Sequence, residues 1–94
     1  MIHTGQVTIP TPAVAVPLSA TRTPCYEVIV QKNTANGIRV GDKTVTASIG
    51  LAVAASNAAP GPVYFGPYMA LSIDLSTIFV FGTAGDVVDF AYVK

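Results

Sequence analysis

Residues 78–94, with the sequence IFVFGTAGDVVDFAYVK, contain two short alternating runs separated by a glycine-containing turn. Side chains on a strand point alternately to its two faces, so Ile78 and Val80 would share one face. Phe79 and Phe81 would then share the other, and both faces would be apolar. The stretch predicts a terminal hairpin whose second apolar face must be covered by another part of the chain or by another molecule.

The same two-residue period recurs along the rest of the chain. Seven Pro and eight Gly divide it into short pieces, and no window shows the 3.6-residue apolar period of a helix. The alternating runs amount to about seven or eight short strands, with turn signals roughly every ten residues. This pattern predicts an all-β fold, an antiparallel β-sandwich that could take a jelly-roll form, as one domain over residues 13–94.

Three of the predicted strands, at residues 25–32, 38–42 and 43–51, have one clearly apolar face. The inward side chains would be Tyr26, Val28 and Val30 in the first, Ile38 and Val40 in the second, and Val45, Ala47, Ile49 and Leu51 in the third. A further strand is expected over residues 69–75, and the small residues at 52–62 favour a loop.

Proline residues interrupt the first part of the chain at positions 10, 12 and 17. Proline cannot donate a hydrogen bond to a sheet, so this segment must lie at a sheet edge or run free of the sheet. We expect residues 1–12 to form an extended N-terminal arm, which would bind a neighbouring molecule by strand addition or by apolar packing.

The composition leaves the surface short of charge. Apolar residues make up 51% of the chain and charged residues 11%, against about 25% charged in ordinary soluble domains. A monomer of 9.7 kDa exposes on the order of 5,000 Å², so its five basic and five acidic side chains amount to roughly one charge per 500 Å². Large uncharged surfaces usually mark contact sites, and we therefore expect partners to bury part of this one.

The sequence argues against several other classes of protein. The five Lys and Arg residues are scattered, so they form no basic stripe for nucleic acid. No apolar run approaches the roughly 20 residues that span a bilayer. The start MIHTGQ lacks the basic and apolar regions of a secretory signal. We expect a soluble chain made in the cytoplasm, with no nucleic-acid or membrane partner.

Side chains suited to catalysis or metal binding are few. The single cysteine, Cys25, opens an apolar run and is expected to be buried, and the only histidine, His3, lies far from it in sequence. Asp86 and Asp89 are three residues apart, so they would lie on opposite faces of a strand and could not act as a pair. The sequence also lacks the spacing of a calcium loop and the glycine pattern of a phosphate-binding loop. We therefore predict no enzyme activity, no metal and no cofactor.

Three aromatic residues, Tyr64, Phe65 and Tyr68, cluster around Gly66 and Pro67. They could stack on a sugar, or they could fill the rim of the core or an interface. Because they have no cationic neighbours in sequence, stacking on nucleic acid is the weaker alternative. Carbohydrate binding stays open.

Three stretches of the chain occur in an order found in a known group of proteins: LSATRTPCYEVIVQ at 18–31, GIRVGD at 37–42 and LSIDLSTIFVFGTAGDVV at 71–88. Over residues 18–94 the chain resembles the small virion accessory proteins of tailed bacteriophages, including capsid decoration or cement proteins. The resemblance implies a non-enzymatic β-sandwich that sits on the capsid exterior as an oligomer. Its partners would be the major capsid protein and its own copies, as a homodimer or a homotrimer.

We therefore expect a structural virion protein that binds the outside of a phage head and stabilises it. A tail- or fibre-associated virion module and a carbohydrate-binding module are the alternatives, the second one using the aromatic cluster. The residues expected at contacts are Ile9, Pro10, Pro12, Tyr64, Phe65, Tyr68, Phe79 and Phe81. Of these, Phe79 and Phe81 could belong either to the core or to an interface.

Overall fold

The computed structural model describes residues 1–11, 14–32, 37–46, 48–53, 63–66 and 73–94. Within these ranges the chain forms ten strands and one short 3₁₀ helix, Leu75–Thr77. The strands are β1 (Ile2–Thr8), β2 (Val16–Pro17), β3 (Pro24–Cys25), β4 (Glu27–Lys32), β5 (Ile38–Gly41), β6 (Leu51–Val53), β7 (Val63–Phe65), β8 (Ile73–Asp74), β9 (Phe79–Phe81) and β10 (Val87–Val93). The predicted all-β class is confirmed.

Strands from the first half of the chain pair with strands from the second half, in antiparallel order. β1 pairs with β10, β2 with β9, β3 with β8, β4 with β7 and β5 with β6, and every pairing is antiparallel. The first sheet has the order β1-β10-β4-β7 and the second the order β2-β9-β5-β6, while β3 and β8 form a small third sheet. Each sheet thus holds two antiparallel pairs, β1 with β10 and β4 with β7 in the first, and β2 with β9 and β5 with β6 in the second. This is the strand order of a jelly roll.

Both four-stranded sheets contribute side chains to a single hydrophobic cluster, which gives the sandwich-like arrangement expected from the sequence. The first sheet supplies Val30 and Val88, and the second supplies Ile38, Val40 and Val80, all with at most 1% of their surface exposed. Burying one such side chain stabilises the fold by about 1.5–3 kcal/mol. The predicted inward positions of Ile38 and Val40 are confirmed.

The predicted terminal hairpin is wrong, because β9 and β10 lie in different sheets. Each of them is already paired on both edges, β9 with β2 and β5 and β10 with β1 and β4, so neither has an edge left for the other. The turn between them is held by Asp86, whose carboxylate accepts a hydrogen bond from the Thr83 N–H (2.8 Å). The Asp86 N–H in turn donates to the Thr83 carbonyl (2.9 Å).

The segment after β5 is a hydrogen-bonded loop rather than the strand predicted there. Asp42 Oδ1 accepts a bond from the Thr44 N–H (2.9 Å), and Thr46 Oγ1 accepts bonds from the N–H groups of Ser48 and Ile49 (3.1 Å each). Side chains that bind the backbone locally in this way compete with strand pairing. Of the side chains predicted to point inward, Val45 is buried, Ile49 and Leu51 are exposed, and Ala47 lies outside the described residues.

A bend at Tyr26 divides the run predicted as one strand into β3 and β4. The bend shifts the alternation of side chains, so Cys25, Val28 and Val30 are all buried while Tyr26 is 37% exposed. The Tyr26 N–H donates to the carbonyl of Val93 (2.8 Å), which ties the bend to the end of β10. The buried position predicted for Cys25 is confirmed, whereas the inward position predicted for Tyr26 is wrong.

Two other predicted elements are described only in part. Residues 54–62 of the predicted loop lie outside the described ranges, and residues 52 and 53 belong to β6. Of the strand predicted over residues 69–75, only residues 73–75 are described, and β8 ends there at Asp74 because the 3₁₀ helix begins at Leu75.

Residues 2–8 form β1, an edge strand of the first sheet, rather than an arm that extends from the domain. β1 pairs with β10 over its whole length, beginning with Ile2 opposite Val93. The prolines follow this strand and therefore leave its hydrogen bonds intact. Pro17 lies in β2, at the edge of the second sheet, where its missing N–H costs no ladder bond. The predicted extended arm is corrected to an integral edge strand.

Candidate interaction site

The N-terminal residues predicted at contacts lie in three different situations. Ile9 is only 1% exposed and belongs to the hydrophobic core, so its side chain is not available to a partner. Its backbone is also bound, since the Ile9 N–H donates to the Asp86 carbonyl (2.8 Å) and its carbonyl accepts from the Gly85 N–H (2.9 Å). Pro10 is half-buried, and Pro12 lies outside the described residues.

The aromatic residues of β7 do not form one platform. Tyr64 and Phe65 are neighbours on a strand, so they point to opposite faces of the sheet. Tyr64 is 64% exposed on the outer face, whereas Phe65 is half-buried and packs against the core. Tyr68 lies outside the described residues. Among the described aromatic residues of this cluster, Tyr64 alone faces solvent.

Phe79 and Phe81 lie on the outward face of the second sheet, opposite the buried Val80. In the register of that sheet Phe79 stands beside Pro17 and Phe81 beside Arg39. Both rings are half-buried, and neither belongs to the core cluster. Neighbouring residues on this face, Pro17 and Arg39, lie beside the two rings. The second apolar face noted in the sequence is therefore only partly covered within the chain.

The outer face of the first sheet carries a depression of about 580 Å³. It forms around Ala91, whose small side chain stands in the middle of a row between Thr4 and Ile29. The next row along the sheet is polar throughout, and the Gln6 amide donates a hydrogen bond to the Asp89 carboxylate (2.9 Å). The outward-facing residues that line the depression are Thr4, Gln6, Ile29, Gln31, Asp89 and Ala91.

This depression offers hydrogen-bonding groups beside an apolar floor. Two amides, a carboxylate and a hydroxyl supply both donors and acceptors, while Ala91 and Ile29 supply apolar surface. Tyr64 extends the row that contains Ile29, so an exposed ring lies at one side. Such a combination suits a neutral, hydroxyl-bearing ligand or a polar protein surface.

Sequence reasoning missed the residues of this face. Thr4, Gln6 and Thr8 alternate with half-buried residues along β1, which is the two-residue period of a strand with one exposed face. The period was present in the sequence, but the nearby prolines favoured a free arm. Asp89, which the sequence separates from Asp86, lies between Gln6 and Gln31.

Cys25, the single cysteine of the chain, is buried. Burial raises the pKa of the Cys25 thiol, and the negative charge of Asp74 raises it further, so the nucleophilic thiolate form is disfavoured. Within the described ranges no three His, Cys, Asp or Glu side chains group as metal ligands. The same ranges contain no helix of the length and apolar character needed to cross a bilayer.

Asp74, at the end of β8, joins separate parts of the chain. Its Oδ1 accepts hydrogen bonds from the Thr23 N–H (2.9 Å) and from both the N–H (3.0 Å) and the hydroxyl (2.8 Å) of Ser76. Arg22 lies 3.9 Å away in an exposed ion pair, a kind of contact that contributes little. The bonds from Thr23 and Ser76 hold the pKa of Asp74 below its ordinary value of 3.8.

The stability of the protein is therefore expected to fall as the pH drops below about 4. A carboxyl group whose pKa is lower in the folded chain stabilises it above the unfolded pKa, and this contribution is lost as the pH falls through the folded pKa. Asp42, whose pKa is lowered by the side-chain and backbone bonds from Thr44, acts in the same direction. Thermal unfolding of Asp74→Asn should show a lower Tm at neutral pH and a smaller acid-induced loss than the wild type.

The matched control for this prediction is Arg22→Ala. Because the ion pair is the smallest of the causes that lower the pKa of Asp74, this variant should keep nearly the full dependence on acid. Parallel Tm curves for Asp74→Asn and the wild type between pH 7 and pH 2 would contradict the assignment.

No family model, no curated protein and no solved structure matches the chain. A functional proposal therefore depends on the fold and on its surfaces.

Proposed function

We propose that this chain is a non-enzymatic structural protein of a phage virion, which binds the outer surface of the capsid as a homo-oligomer and stabilises the head. The observation that carries the proposal is a surface with many large apolar side chains and few charges. Ten ionic residues share 5,262 Å² of surface. The large hydrophobic residues exposed in the described ranges are Met1, Ile2, Val14, Tyr26, Ile49, Leu51 and Tyr64.

A decoration protein needs such a surface. Each copy makes contacts of modest area, and repetition over a lattice turns many weak contacts into stable attachment. Burying neutral, apolar surface avoids the cost of desolvating charges. The strands that carry Ile2, Leu51 and Tyr64 hold the backbone of these residues in place, which lowers the entropy lost on binding.

Ile49 and Leu51 are an accessible apolar pair for a test. Ile49 ends the loop after β5 and Leu51 begins β6. Their side chains are 56% and 57% exposed. The double substitution Ile49→Ser with Leu51→Ser should reduce co-sedimentation with purified phage capsids that lack their decoration layer, by at least about tenfold. Its Tm should stay close to that of the wild type, because neither side chain belongs to the core.

Ser48→Ala is the matched control, since it changes an exposed residue of the same loop without removing apolar surface. Binding to isolated tails but not to capsids would place the chain on the tail and overturn the head assignment. Failure of the wild type to sediment with either particle would overturn the virion proposal. Deletion of residues 1–12 is unsuitable, because it removes β1 and the core residue Ile9.

Carbohydrate binding is a second candidate, favoured by the depression on the first sheet. The candidate site now consists of Tyr64, Gln6, Gln31 and Asp89 rather than the three aromatic residues of the sequence cluster. Gln31→Ala and Tyr64→Ala should each abolish binding on a glycan array if this function is correct. Wild-type protein that binds no glycan on the array would exclude it for the sugars displayed there.

A further inference from the structure

β1 presents a long edge that no described strand covers. It spans seven residues, is paired with β10 on one side, and ends its sheet on the other. The other strands that end the two large sheets, β2, β6 and β7, have two or three residues each. β1 contains no proline, no Asp or Glu and no Lys or Arg. These are the usual means by which proteins protect an open edge against pairing.

The hydrogen bonds of β1 alternate between its two sides. At one end the N–H groups of Met1 and Lys94 donate to each other's carbonyl oxygens (3.0 Å each), and at the other the Ile9 N–H donates to the Asp86 carbonyl (2.8 Å). In an antiparallel pair such bonded positions recur every second residue. The backbone N–H and C=O groups of the odd-numbered residues therefore point toward β10. Those of the even-numbered residues point toward the open edge.

Four residues of β1 thus have one N–H and one C=O each that point away from the sheet: Ile2, Thr4, Gln6 and Thr8. The side chains of these residues are also exposed, on the outer face of the sheet. An extended strand that approached this edge would find eight regularly spaced donors and acceptors.

We propose that the open edge of β1 binds β1 of a second copy of this chain, antiparallel and centred on Gly5. In that register Thr4 stands opposite Gln6 of the second copy, and Ile2 stands opposite its Thr8. All eight open backbone groups are then paired, whereas shifting the centre by one residue, to Thr4 or Gln6, leaves two of them unpaired. The two first sheets become one sheet of eight strands.

The composition of β1 favours a second copy as the occupant. We call the contact between the two β1 strands the seam. In a symmetric seam, a charge close to the centre lies near the same charge of the second copy, so a charged strand would repel itself. β1 has no Asp, Glu, Lys or Arg. The polar side chains on its outer face are the hydroxyls of Thr4 and Thr8 and the amide of Gln6, which can both donate and accept, while the His3 ring stacks on Tyr92. At the centre Gly5 carries no side chain, and on its own sheet it stands opposite Phe90. Nothing bulky or charged therefore separates the two strands.

This inference rests on the proposed function, which includes a homo-oligomer. The dimer can nevertheless be tested on the purified chain without capsids. Sedimentation velocity over a range of concentrations should show reversible dimers of the wild-type chain. The double substitution Thr4→Lys with Gln6→Lys would place two pairs of like charges directly across the seam. We expect it to weaken the dimer by about tenfold, because like charges directly opposite each other on paired strands repel.

The matched control is Thr4→Glu with Gln6→Lys, which alters the same two exposed positions and loses the same bond from Gln6 to Asp89. In the proposed register it places opposite charges across the seam, so its dimer should be at least as stable as that of the wild type. Equal weakening by both double variants would overturn the register, and a wild type that stays monomeric at every concentration would overturn the seam.

A proline substitution tests the hydrogen bonds themselves. Thr4→Pro removes a donor on the open edge and leaves the bonds to β10 in place, so it should reduce dimerisation with the Tm little changed. If Thr4→Pro fails to fold, the charge pair above decides the question. If the dimer forms as proposed but does not bind capsids, the seam stands and the virion function fails.

Discussion

Replacing Ile9 with alanine is expected to lower the free energy of unfolding by about 2–5 kcal/mol. Ile9 is 1% exposed and is among the largest fully buried side chains of the described chain. Truncation would remove apolar contacts and leave a cavity beside the turn that contains Asp86. Urea denaturation followed by circular dichroism would measure the loss as a lower midpoint.

Tyr64→Ala provides the control, because Tyr64 is 64% exposed. Removing an exposed side chain usually changes the free energy of unfolding by less than about 0.5 kcal/mol. The comparison separates the two interpretations of the N-terminus. An extended arm predicts that both variants are as stable as the wild type, and that outcome would show that residues 2–9 are not part of the fold.

Replacing Gly66 with alanine is expected to destabilise the protein by about 2–5 kcal/mol, the sum of a backbone and a packing cost. Gly66 has a φ of +98°, in the region that favours glycine. A Cβ on this residue would lie 2.7 Å from the Tyr26 carbonyl oxygen and 3.0 Å from Glu27 Cβ. The first of these neighbours is backbone at the bend before β4, so it cannot move aside without disturbing the sheet.

Gly85→Ala separates the two costs. Gly85 also has a positive φ, +90°, but no atom lies within 4 Å of the position that its Cβ would take. This control should cost only the backbone strain, about 1–2 kcal/mol. The difference between the variants in urea denaturation reports the contact between Gly66 and the bend. Equal losses would show that β7 does not approach Tyr26 as closely as described.

The alternation of apolar residues was a sound guide where strands are regular. Val28, Val30, Ile38 and Val40 were all predicted to face inward, and all are buried. The same reasoning failed for Ile49, since hydroxyl and carboxylate groups nearby bind the backbone and curl the segment into a loop. A two-residue period records which side chains could share a face, but it does not show whether the backbone has a partner strand.

The candidate contact residues were less predictable than the strands. Ile9 and Tyr64 are both large residues that lie just before a proline or a glycine, Pro10 and Gly66. Ile9 nevertheless lies in the core, whereas Tyr64 faces solvent. The difference in their burial depends on whether each side chain points to the inner or the outer face of its sheet. That orientation is fixed by how the strands pair. Gln6 and Asp89 are 83 residues apart in sequence, so no local pattern could have placed them together.

The amino-acid sequence by itself determined the class of fold, the abundance of strands and the shortage of surface charge, because composition and side-chain alternation are local properties of the chain. The tertiary structure alone decided the nested pairing of β1 with β10 and β2 with β9, the burial of Ile9 and the open edge of β1. The physical reason is that a strand can pair with any free edge. Which edge remains free is settled only when all the other strands have found their partners.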